Sequence, residues 1–96
     1  MNVSATQYFA DIIPFEFALY KTMEAHEQPL PETYQAWSIA REAEIAAGRK
    51  RGDDVRIVAI RFDDFRNHYI MLGVRAIREV DIDSFARMQA TRGRMR

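Results

Sequence analysis

Apolar residues in the first quarter of the chain recur at helical rather than strand spacing. Phe15, Leu19 and Met23 fall on one stripe when projected at 100° per residue, and Phe17 and Tyr20 fall on another, with Glu16 and Lys21 between. With Ser4 as a candidate N-cap, residues 5–26 are expected to be helical. Pro14 interrupts this stretch and either kinks one helix or opens a second, since proline suits a first turn and not an interior. A helix apolar on two sides has more surface to hide than one core contact covers.

Residues 26–31, His-Glu-Gln-Pro-Leu-Pro, form a stiff connection. Pro31 suits the first turn of a second helix, with Glu32 near its positive end, running to about Ala47 with Gly48 as the C′ residue. Tyr34, Trp37, Arg41 and Ile45 line one side of it; Ala36, Ala40, Ala43 and Ala47 line the other.

Beyond the polar turn at 48–54 the period changes. Residues 55–62 are short and rich in β-branched side chains, with Val58, Ile60 and Phe62 alternating against Ile57, Ala59 and Arg61, so a strand is expected. Residues 63–68 read as a loop and 69–77 as a second strand, completing a hairpin. The segment 69–77 also groups Tyr69, Ile70, Val74 and Ile77 on one side of a helical wheel, but Gly73 in its middle favours the strand. A short last helix is expected from Asp83 or Ser84, carrying Phe85 and Met88, and residues 92–96 read as a frayed basic tail.

The expected architecture is therefore one α+β domain over 1–96: two N-terminal helices, an antiparallel β-hairpin and a short C-terminal helix, α-α-β-β-α. Ninety-six residues suffice for one domain with a thin core. Cysteine is absent, which removes disulfides, thiolate zinc sites and thiol nucleophiles. The first residues lack a basic stretch followed by an apolar run, and no apolar run approaches the length of a membrane span. A cytoplasmic protein without a membrane contact is expected.

Charge changes this picture more than composition does. The total is zero, yet residues 1–48 carry two bases against seven acids, a net of −5, and residues 49–96 carry twelve bases against seven acids, a net of +5. Such asymmetry points to a charged partner or to a second copy of the chain.

Candidate chemistry is sparse. Asp63, Asp64 and His68 have the residue types for a divalent metal, but paired aspartates at an element boundary more often cap a turn. The pairs Asp53-Asp54, Asp63-Asp64 and Asp81/Asp83 all sit at such boundaries, and so small a chain has little volume for a deep pocket. The segment 48–52, Gly-Arg-Lys-Arg-Gly, lacks the P-loop spacing and leads into a strand. No catalytic residue, metal or cofactor is expected.

Two contact surfaces remain. Five aromatics (Tyr8, Phe9, Phe15, Phe17, Tyr20) lie within thirteen residues, and an outward-facing Phe17 and Tyr20 would anchor a partner beside the basic residues Arg49, Lys50, Arg51, Arg56, Arg61 and Arg75. The expected function is a small non-enzymatic protein-binding module, an accessory or inhibitory protein that occludes a larger complex, nucleoprotein complexes included. Small phage and plasmid proteins work in this way, an analogy of size and class alone. An isologous homodimer would set the acidic helices of one copy against the basic hairpin of the other. The alternative is a nucleic-acid-binding accessory domain using Arg49, Lys50, Arg51, Arg92, Arg94 and Arg96. Against it stand a pI of 6.7 and the aspartates beside the same bases.

Overall fold

A computed structural model describes residues 5–94 of the chain. Strand β1 (Thr6–Asp11) leads through a 3-10 turn (Pro14–Glu16) into the short helix α1 (Phe17–Lys21), then helix α2 (Tyr34–Arg51) and strand β2 (Asp54–Ala59). Helices α3 (Phe62–Met71) and α4 (Glu79–Arg94) follow. The order is β-α-α-β-α-α, and the two strands form a parallel pair with Thr6 level with Asp54 and Asp11 level with Ala59.

This overturns the expected antiparallel hairpin and the α-α-β-β-α order. The partner of β2 is the chain's first segment, and the helices between the strands supply the long crossover that parallel pairing requires. Phe9 and Ala10 are adjacent, so they point to opposite faces of β1, and both are buried. A strand covered on both faces shows no two-residue alternation, so nothing within 6–11 sets it apart from the helically spaced residues that follow. The segment expected as a hairpin loop, 63–68, is the body of α3, and the expected second strand supplies only that helix's last turn and the connection after it.

Local chemistry explains the element ends. Thr33 caps α2, its hydroxyl accepting the Ala36 N–H at 3.1 Å. Gly52, at φ +89°, ends that helix in the left-handed conformation that glycine tolerates. Gly48 lies inside α2 instead of beyond it, and a Cβ there would stand 3.2 Å from Val55 Cγ2, so its lack of a side chain lets β2 pack close. Gly73 (φ +77°) follows the end of α3, where its N–H bonds to the Ile70 carbonyl. Helix α4 starts at Glu79, earlier than Asp83 or Ser84, with the Asp81 carboxylate accepting the Arg78 N–H. It runs to Arg94, so part of the expected tail is helical; Ser4, Met95 and Arg96 lie outside the described residues.

The core joins all layers. Tyr20 packs edge-on to Phe62 and against Phe65, and Phe65 meets Phe85 edge-on at 5.6 Å. Two charged residues are buried with it. Arg41 of α2 lies over the rings of Phe9 and Trp37 and binds Asp83 and Glu79 of α4. Glu16 accepts the first amide of α3, Phe62 N–H, at 3.0 Å and pairs with Arg61. Both ion pairs run between the two halves of the chain, but only Glu16–Arg61 joins an acid of the acidic half to a base of the basic half; Arg41 pairs in the opposite sense.

Candidate docking groove between α3 and α4

Helices α3 and α4 are tied together on their inner sides. Tyr69 donates its hydroxyl to the Asp81 carbonyl at 3.0 Å, and burial raises its pKa above the ordinary phenol value. Because residue 65 meets 85 and residue 69 meets 81, the two helices run antiparallel. Their outer sides diverge, leaving an open groove of about 1030 Å³.

Two helical stripes line it. On α3 they are Asp64, His68 and Met71, running on to Leu72; on α4 they are Phe85, Met88, Gln89 and Arg92. The His68 ring sits 5.4 Å from the Phe85 ring and forms part of the wall. Met71 is 87% exposed and Leu72 62%, with Ile70 beside them also exposed. Polar groups of Asp64, Asn67, Gln89 and Arg92 occur along the same lining. An apolar stretch with a partly polar border is the usual make-up of a peptide-binding groove.

The residues expected from sequence are distributed otherwise. Phe17 and Tyr20 are buried in the core, so the two faces of that segment are exchanged: Phe15, at 76% exposed, and Leu19 point outward. Arg49, Lys50 and Arg51 end α2, where positive charge suits the helix's negative pole. Arg51 pairs with Asp53, Arg56 with Asp54, and Arg61 with Glu16. Arg61 lies past the far end of β2 from Arg51, roughly 20 Å away at 3.3 Å per strand residue, so these bases do not form one cluster. Arg75 is exposed in the α3–α4 connection. Arg92 lines the groove, the side chain of Arg94 is not described, and Arg96 lies outside the described residues.

Asp64 and His68, four apart on α3, share the groove face. Among the described residues no three histidine, cysteine, aspartate or glutamate side chains converge as metal ligands. No helix is long and apolar enough to cross a membrane, again among the described residues.

The groove went unseen in the sequence because residues 63–77 read as loop and strand. Phe62, Phe65 and Tyr69 at spacings of three and four, opened by Asp63 and Asp64 in a first turn, were the signal for a helix there. A second, smaller groove of about 320 Å³ runs along β1 between Glu44 of α2 and Val80, Asp83 and Arg87 of α4. The chain matches no protein-family model, no curated protein and no solved structure.

Proposed function

We propose that this chain is a non-enzymatic protein-binding module whose groove between α3 and α4 receives an amphipathic helix from a partner protein. The observation that carries the reading is the pair of antiparallel helices with unfilled apolar stripes, ending in the exposed Met71 and Leu72. Stripes repeating every three or four residues are ridges, and a third helix laid between them packs its own ridges against both. Covering Met71 and Leu72 is worth about 1.5–3 kcal/mol each at full burial, enough to make them anchors. Methionine walls adapt to the contour of what binds them. A small protein that holds a helix of a larger assembly acts by occupying that surface, as an accessory or inhibitory factor does.

Nucleic-acid binding has weaker support, because Asp53, Asp54 and Asp64 stand near the bases it would use. The test is affinity capture from the native host with wild type, with the double variant Met71→Asp/Leu72→Asp, and with Phe15→Asp as a surface control. A protein retained by wild type and the control but lost with the double variant supports the reading. Equal retention by all three contradicts it.

A further inference from the structure

The parallel ladder leaves one backbone edge open. Asp54 N–H bonds to the Ala5 carbonyl and Ile60 N–H to the Asp11 carbonyl, so residues 54, 56, 58 and 60 turn their peptide groups toward β1. The peptide groups of Val55, Ile57 and Ala59 therefore point away from it. Among the described residues, no hydrogen bond engages them on that side. The side chains of these same three residues share one face of the strand, where Ile57 is 51% exposed and Ala59 is exposed. An open edge carrying an apolar stripe is a pairing template, and β2 has neither proline nor lysine to blunt it.

We infer that two copies of this chain pair through β2, antiparallel about a two-fold axis at Ile57, to form a continuous four-stranded sheet. The register follows from symmetry. Ile57 faces its own copy as a hydrogen-bonded pair, and Val55 faces Ala59 on both sides, so every outward peptide group of the three residues finds a partner. The stripe then becomes a cross-strand apolar cluster.

The flanking charges favour the same pairing. Arg49 and Lys50 precede β2 at one end, and Asp63 and Asp64 follow it at the other. None of the four is in an ion pair among the described residues. The two-fold axis brings the basic end of each copy to the acidic end of the other, at both ends of the new sheet. A second copy is thus favoured over a foreign strand, which has no reason to match both ends. The paired edge of β2 lies outside the α3–α4 groove, and of the flanking charges only Asp64 borders both.

Sedimentation equilibrium across micromolar to high-micromolar concentration tests it. Wild type should approach twice the 11.2 kDa of the chain. Ile57→Lys should stay at the single-chain mass with an unchanged circular-dichroism spectrum, since its side chain points largely to solvent. Lys50→Glu, which leaves the strand intact, should weaken association about tenfold, and adding Asp63→Lys, outside the groove lining, should restore it. Wild type that remains single at the highest concentration overturns the inference and leaves the edge to an extended segment of another protein. A dimer unaffected by both Ile57→Lys and Lys50→Glu overturns it equally.

Discussion

Arg41 on α2 and Asp83 on α4 meet end-on, the guanidinium Nη1 and Nη2 reaching the two oxygens of one carboxylate, and that carboxylate also accepts the Ala10 amide of β1 at 2.9 Å. One side-chain pair therefore links two helices to the sheet. Arg41 is only 3% exposed, and its face is stacked on Phe9 and Trp37, so its charge has no route to water.

Asp83→Ala should cost about 3–5 kcal/mol, because the buried guanidinium keeps only the partly exposed Glu79 as its partner and the Ala10 amide loses its acceptor. Pairing Arg41→Met with Asp83→Asn should recover a large part, since the one charge left without a partner, Glu79, is partly exposed. Denaturant midpoints of the two variants check this; equal losses would mean that the pair's charge is not what matters.

Tyr20 carries a hydroxyl that is buried with no partner among the described residues, against Phe62 and Phe65. Burial is the main reason that its pKa is pushed far above the ordinary phenol value, with Glu16 adding to the effect. An unsatisfied buried hydroxyl costs about 1–3 kcal/mol, so Tyr20→Phe should leave stability equal or raise it by about 1 kcal/mol. Tyr20→Ala should lower it by about 3–5 kcal/mol through the cavity. Thermal unfolding of both variants gives the comparison.

The carboxyl of Glu16 titrates below its ordinary range, chiefly because it accepts the Phe62 N–H; burial opposes this, and the Arg61 guanidinium assists. Its stabilising effect is therefore complete above the unfolded value of about 4.3 and disappears as pH falls through the folded one. Glu24 is lowered in the same sense, mainly by the Leu30 N–H. The unfolding midpoint should hold between neutrality and about pH 5, then drop below about pH 4.3. Glu16→Gln should lower the midpoint at neutral pH and flatten the acid limb; an acid limb as steep as wild type would refute the assignment.

Legibility in the sequence followed the range of the interactions. Helix α2 was readable because Tyr34, Trp37 and Arg41 repeat locally, and β2 because Val55, Ile57 and Val58 sit in one short β-branched run. Strand β1 was not, since its partner lies 48 residues away and its two buried faces erase the alternation. For α3, the misleading residue is Gly73, which stands just past the end of a helix and not inside a strand. The cap on that helix comes from Glu16, 46 residues upstream, and no local pattern encodes it. Of the expected contact residues whose side chains are described, only Arg92 lines the groove, because the hairpin that would have gathered the others does not form.

Helix binding in the α3–α4 groove is tested most directly by calorimetric titration of the captured partner into wild type and into Met71→Asp/Leu72→Asp at low and high salt. Burial of an apolar helix predicts a negative heat-capacity change, affinity nearly independent of salt, and a loss of tenfold or more in the double variant, about 1.4 kcal/mol at the least. Unchanged affinity in that variant, or affinity that falls steeply with salt and vanishes on reversing Arg49 and Lys50, would contradict it.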